Sequence, residues 1–338
     1  MKAIVYTHYG PPEVLQLREV AKPEPREDQV LVRVHAASAN ALDYRRFEEI
    51  SPLGRISEER LLKTTNKVLG ADIAGRVEAV GSAVTQFQPG DEVFGVSAGS
   101  AGAFAEYACA AEDHLALKPA NCSFEAAAAV PVASLTALQG LRDKGRIQPG
   151  QKVVINGASG GVGTFAVQIA KSFGAEVTAG CSARNLDWVR SFGADYVVDY
   201  AREDFTHNEQ RYDLILGVNG YHPILDYRRA LIPRGRYIAI GGSMPQILQG
   251  MIMAPVLSQI GSKKMGFMGI TKISHSDLAF MRELIEAGQV VPVIDRIYPL
   301  HEAAEAFKYL AGEHSTGKVV FSVDLERMPH PSQLGGHS

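Results

Sequence analysis

Lys152-Val153-Val154-Ile155-Asn156-Gly157-Ala158-Ser159-Gly160-Gly161-Val162-Gly163 decides the fold of this 338-residue chain. An apolar, β-type run enters a glycine-rich turn, and an amphipathic helical run, Thr164 to Phe173, leaves it. Strand, glycine turn and helix in that order bind a dinucleotide. The glycines let the backbone approach the pyrophosphate, and the helix N-terminus supplies N–H donors and a positive dipole end. The usual G-x-G-x-x-G is here Ala158-x-Gly160-x-x-Gly163, with an extra glycine at 161. Glycine spacing alone is a weak signal; with these flanks it is a strong one. Ala158, Ser159, Gly160, Gly161 and Val162 are therefore candidate cofactor-binding residues. The following strand, Ala175 to Gly180, runs into Cys181-Ser182-Ala183-Arg184-Asn185. No acidic residue stands at its end to take a ribose 2′-hydroxyl. Small residues and an arginine stand there instead, which suits a 2′-phosphate. The expected cofactor is NADP(H) rather than NAD(H).

Outward from this loop, the pattern predicts strands over 152–156, 176–180, 196–198, 212–217 and 236–240. It predicts helices over 162–173, 183–192 and about 222–231. Such alternation builds a parallel sheet covered on both faces. Residues before about 125 read differently. Short strands, such as those over 30–36, 75–81 and 91–95, are separated by turns such as Gln88-Pro89-Gly90-Asp91. The expected class is α/β, a Rossmann doubly wound parallel sheet plus a mostly β domain. The expected division is 1–124 with 266–325 for the β domain and 125–265 for the nucleotide-binding domain. Residues 317–323 are expected to be a strand that rejoins the β domain, and 326–338 a disordered tail.

Composition narrows the function. A net charge of -3 gives no electrostatic reason to expect a nucleic acid or an anionic membrane as partner. The three cysteines are scattered, which fits a reducing compartment and a cytoplasmic location. The N-terminus reads as a strand rather than a signal peptide. The apolar stretch from Met244 to Ile260 is interrupted by prolines and glutamines and falls short of a membrane span. That stretch is read as packing, a subunit contact or the wall of a hydrophobic cleft.

Several patches in order resemble the medium-chain dehydrogenase/reductase superfamily, in particular its zinc-independent quinone oxidoreductase or zeta-crystallin-like branch. They are Gly70-Ala71-Asp72-Ile73-Ala74-Gly75, Pro89-Gly90-Asp91-Glu92-Val93, Ser134-Leu135-Thr136-Ala137-Leu138-Gln139, the glycine loop, Ser191-Phe192-Gly193-Ala194-Asp195, Val198-Asp199-Tyr200 and Gly317-Lys318-Val319-Val320. The resemblance covers about residues 1–323 and implies a GroES-like fold for the β domain. Zinc-dependent relatives carry a cysteine near 40–43 and a Gly-His-Glu further on. Here 37–43 contains no cysteine, and Ala71 stands in place of the histidine. A catalytic zinc needs three such ligands, so no metal is expected.

Without that Lewis acid, the acceptor must take hydride readily. Quinones and α,β-unsaturated carbonyls do so, because charge spreads onto a conjugated oxygen. A small hydrophobic carbonyl or quinone is therefore the expected substrate, and the resemblance implies a homodimer. It also places the loop at Asn40 by the nicotinamide, making Asn40, Tyr44 and Arg45 the candidate catalytic residues. Tyr44 comes earlier than the family spacing for a tyrosine, where Arg45 stands, and Asp43 fits a helix cap as well. Thr136 resembles the threonine near the nicotinamide end of the cofactor, and Lys318 the lysine near its phosphates. Ser182, Arg184 and Tyr200 are candidates for the 2′-phosphate. Asn219, Gly241 and Gly242 follow later strands at the ligand-binding edge of the sheet. Phe267 and Gly269 resemble the segment that meets the carboxamide. Two alternatives stay open: a trans-acting enoyl reductase of secondary metabolism, and an NADPH-binding protein with little turnover.

Overall fold

The computed structural model describes residues 1–48, 67–312 and 315–323. The tail expected at 326–338 lies outside the described residues. The chain divides into two compact units. One takes in Met1–Pro131, Arg296–Glu313 and the chain from Val319 on; the other holds Val132–Asp295 and His314–Lys318.

The second unit is built on a six-stranded sheet whose described pairings are all parallel. Across the sheet the strands run Tyr196–Asp199, Glu176–Cys181, Lys152–Asn156, Tyr212–Gly217, Leu231–Ala239 and Lys264–Phe267. The central strand is wholly apolar at its middle because both of its faces are covered. Val153, Val154 and Ile155 have no exposed surface. The Gly161–Ser172 helix packs on the sheet through Phe165, Ala166, Ile169 and Ala170, all fully buried. The strand order reverses between Lys152–Asn156 and Tyr212–Gly217. Their carboxyl ends therefore bound the crevice where such sheets bind ligands.

The first unit carries a sheet whose described pairings are antiparallel. Its strands include Gln29–Ser38, Asp72–Val80, Glu92–Val96, Tyr107–Ala111 and Leu115–Leu117. The closing strand, Lys318–Ser322, returns to it by pairing Val320 with Ser38 and Phe321 with Ala37. The aromatic rings of Phe47, Phe104, Phe307 and Phe321, all unexposed, form the centre of its core. Phe47 meets Phe307 edge-on at 5.1 Å, and Phe104 meets Phe321 edge-on at 4.8 Å.

The division differs from the expected one, since residues 266–295 belong to the nucleotide-binding unit. Lys264–Phe267 is the sixth parallel strand, with Met265 opposite Tyr237 and Phe267 opposite Ala239. Beyond it, the Gln139 side chain donates to the Lys272 carbonyl at 2.7 Å and accepts from its N–H at 3.1 Å. Gln168 holds the backbone of Val291 in the same double fashion. The predicted strand at 236–240 begins earlier, at Leu231. The Met244–Ile260 stretch is a broken helical run, Met244–Leu248, Gln249–Met253 and Ala254–Leu257. Among the described residues no helix is long and apolar enough to cross a membrane.

Candidate nucleotide cradle and asparagine loop

In the second unit the glycine loop is shaped by close backbone approaches. Gly157 has φ 91°, and a Cβ there would stand 2.3 Å from the Asn219 carbonyl oxygen. A Cβ on Gly163 would stand 2.1 Å from the Gly157 oxygen. Only glycine allows the strand, the loop and the helix start to close this tightly. Gly160 is different: a Cβ there would meet nothing nearer than 3.9 Å. Its outer side is open, and as N-cap it brings no side chain to satisfy the first N–H groups of the Gly161–Ser172 helix. That combination suits an anion. Ser159, Gly161 and Val162 are part-exposed beside it. Ala158 is fully buried, and its N–H donates to the Gly180 carbonyl at 2.9 Å, so it shapes the loop from within.

Asn156 ties this loop to the next crossover. Its carbonyl accepts the N–H groups of Val218 and Asn219. Its side-chain nitrogen donates to the Gly220 carbonyl at 3.0 Å and the Tyr227 hydroxyl at 2.9 Å. Tyr227 in turn donates to the Gly220 carbonyl at 2.7 Å and stacks on Tyr237. Burial drives its phenol pKa well above the usual tyrosine value, so it stays protonated. Gly242, with φ 96°, is required because a Cβ would stand 2.3 Å from Gln246 Oε1; Gly241 is open but for the Val218 carbonyl. Lys318 is buried, and its aliphatic stem lies against Gly161.

The ends of the second and third strands bring Ser182, Arg184 and Tyr200 together. Cys181 pairs with Asp199, and the Tyr200 N–H donates to the Cys181 carbonyl. Arg184 and Tyr200 are exposed, and the Ser182 hydroxyl accepts from Asn185. No carboxylate ends the Glu176–Cys181 strand. Burial, aided by Asp199, pushes the Cys181 thiol up to about 11. It therefore packs as a neutral group. Thr136 donates to the Val132 carbonyl and shares a 2.6 Å hydrogen bond with Thr271, which fixes the Phe267–Thr271 segment against its helix. Gly269 has φ 77° and open space around it, and Ile270 beside it is 94% exposed.

In the first unit, Asn40 caps the Ala41–Phe47 helix and is gripped by two buried carboxylates. Its N–H donates to Asp43 Oδ2 at 2.9 Å, and its side-chain nitrogen donates to Asp72 Oδ2 at 2.9 Å. Ser38 Oγ donates to the same Asp72 oxygen at 2.8 Å. Asp72 was not among the expected site residues. The available signal was a lone carboxylate between Ala71 and Ile73 in an apolar run, which has to be paired if buried. Tyr44 is part-exposed, and its ring packs edge-on against Phe47 at 5.3 Å, at the margin of the core. Burial and a hydrogen bond to Glu48 raise its pKa. Arg45 and Arg46 are part-exposed on the same helix. Among the described residues no three His, Cys, Asp or Glu side chains come together as a metal centre would require.

Replacing Asp72 with alanine removes the acceptor of a buried hydroxyl, Ser38, and of a part-buried amide, Asn40. The expected cost is about 2–3 kcal/mol of stability. Urea denaturation checks it; a wild-type midpoint contradicts the assigned role. Asp72→Asn is expected to recover part of the loss.

The profile of the alcohol dehydrogenase GroES-like domain matches residues 26–120, and that of zinc-binding dehydrogenase matches 192–321. The chain is 35% identical over 336 residues to the 2-methylene-furan-3-one reductase of Solanum lycopersicum, covering 95% of this chain and 78% of that one. It is 34% identical to the NADPH-dependent alkenal/one oxidoreductase, chloroplastic, of Arabidopsis thaliana, covering 95% of this chain and 79% of that one. The solved quinone oxidoreductase of Coxiella burnetii superposes with a TM-score of 0.83 at 30% identity, covering 96% of this chain and 99% of that one. With its dinucleotide-type sheet, its GroES-like unit and these relatives, the chain belongs to the zinc-independent, quinone oxidoreductase-like branch of the medium-chain dehydrogenase/reductase superfamily.

Proposed function

We propose that this protein is an NADPH-dependent reductase that passes hydride to a quinone or an α,β-unsaturated carbonyl. The observation that carries this reading is the open Gly160 cradle, joined to a second-strand end where Ser182 and Arg184 replace an acid. The names of the alkenal/one and furanone reductases support the acceptor class.

The residues divide the work. Ser159, Gly160, Gly161 and Val162 present backbone to the pyrophosphate, and Lys318 lies beside them. Arg184, with Ser182 and Tyr200, recognises the 2′-phosphate through a guanidinium fork suited to phosphate geometry. Asn219, Gly241, Gly242, Phe267 and Gly269 line the carboxyl edge toward the nicotinamide, with Thr136 fixing the last segment. Bound NADPH supplies the hydride. On the acceptor side, Asn40 is the proposed hydrogen-bond donor to the carbonyl or quinone oxygen, where charge develops. Asp72 and Asp43 hold it in place, so little reorganisation is needed as that charge appears. Arg45 adds positive charge on the same helix. Tyr44 has no proton-donor role in this scheme.

Arg184→Ala is expected to raise KM for NADPH about tenfold or more, from the loss of a charged hydrogen bond, while KM for NADH changes less than about twofold. Equal effects on both cofactors would remove the 2′-phosphate assignment.

The proposed assembly is a homodimer through the outer edge of the parallel sheet. Lys264–Phe267 is its outermost strand among the described residues, and Met251, Ile252, Val256 and Ile260 stand exposed just before it. A strand edge beside exposed apolar side chains suits a self-complementary two-fold contact. Sedimentation is expected to give twice the chain mass for the wild type and the single-chain mass for Ile252→Glu. A monomeric wild type at micromolar concentration contradicts this. The three scattered cysteines, which form no disulfide among the described residues, support a reducing compartment, in our reading the cytoplasm.

A further inference from the structure

We propose that a hollow at the amino-terminal edge of the parallel sheet is a second anion site, built for a phosphate or diphosphate group and separate from the nucleotide cradle. The hollow encloses about 270 Å³ and is lined by Arg146, Asp213, Arg234 and Arg236, with Gly145 and Gly235 between them. It lies where strands begin: Lys152, Tyr212 and Leu231 open the three strands beside it. The nucleotide cradle lies where the first two end, at Asn156 and Gly217.

Three arginines and a single carboxylate, Asp213, line the hollow, and Arg146 and Arg234 are exposed. Among the described residues none of their guanidinium groups has an ion-pair partner. Asp213 accepts the Lys152 backbone N–H at 2.9 Å and sets one negative charge against the three positive ones, which leaves the lining net positive. Burial, and then the nearby charge of Arg146, lowers the pKa of Arg236, as expected when like charges share a part-buried place.

The backbone gives an independent observation. Arg146, with φ 54°, and Arg234, with φ 67°, are the only non-glycine residues at positive φ among the described residues, and both line this hollow. Arg146 ends the Gly140–Gly145 helical segment at a left-handed position where glycine is favoured. Arg234 follows Pro233 in a tight turn, and its N–H donates to Ser262 Oγ. At both places glycine would serve the backbone better, so the side chain is what the position supplies. Strain of this kind gathers at ligand clamps. Planar guanidinium forks match phosphate oxygens in pairs. The hollow is open to solvent, and its volume of about 270 Å³ accommodates a phosphate or diphosphate group.

The test is calorimetric titration of inorganic diphosphate into the full chain with saturating NADP⁺ present, so that the cradle is filled. NADP⁺ binding is read separately in the same instrument, and failure of one site is not failure of the other. The wild type is expected to bind one diphosphate per chain. Arg146→Gly combined with Arg234→Gly is expected to weaken it about tenfold or more, with unchanged NADP⁺ affinity. Without anion the same variant is expected to melt higher than the wild type, because two left-handed arginines are relieved. Should that variant not fold, Arg236→Gln carries the same binding test. Undiminished diphosphate binding in the variants, absence of saturable binding in the wild type, or binding of heparin but not diphosphate would overturn the proposal.

Discussion

The approach of the Gly157 turn to the Asn219 backbone is the constraint on which the second unit depends. Asn156 enforces it from both ends, through its carbonyl to Val218 and Asn219 and through its amide to Gly220 and Tyr227. That clamp fixes two strand ends at the reversal of strand order, so the crevice is set before any ligand arrives. The two glycines with forbidden Cβ positions, Gly157 and Gly163, serve this closure, whereas Gly160 leaves room at its outer side. Folding and binding thus draw on different glycines of one loop.

The first unit solves a different problem, which is to hold a polar side chain steady at the edge of an apolar core. Asn40 is fixed by carboxylates that are themselves buried, and Asp72 is satisfied by two donors on one oxygen. A buried carboxylate with such partners costs little once they are present and a great deal if they are removed. That fixed position is why Asn40 is the donor in the proposed function.

The parallel sheet was legible in the sequence because both signals that mark it are local. The apolar runs at 152–156 and 212–217 match the strands, and the 162–173 pattern falls within one residue of the helix Gly161–Ser172. What escaped was non-local. The four-residue strand Lys264–Phe267 carries too short a pattern to reveal its sheet, and Gln139 binds Lys272 from 133 residues away. Hence the segment to 295 was assigned to the wrong unit. Tyr44 and Phe47, three residues apart, share one helix face, so the tyrosine ring packs at the margin of the core while part of it stays exposed. The left-handed arginines carry no signal at all, since nothing in Gly145-Arg146 or Pro233-Arg234 announces a positive φ.

The most direct measurement of the central claim is NADPH oxidation by the purified protein against a panel of quinones and enones in the presence of a metal chelator. The account predicts turnover that chelation leaves intact, with NADPH used far better than NADH. Turnover abolished by the chelator and restored by zinc, or tight NADPH binding with no turnover on any conjugated acceptor, would contradict it.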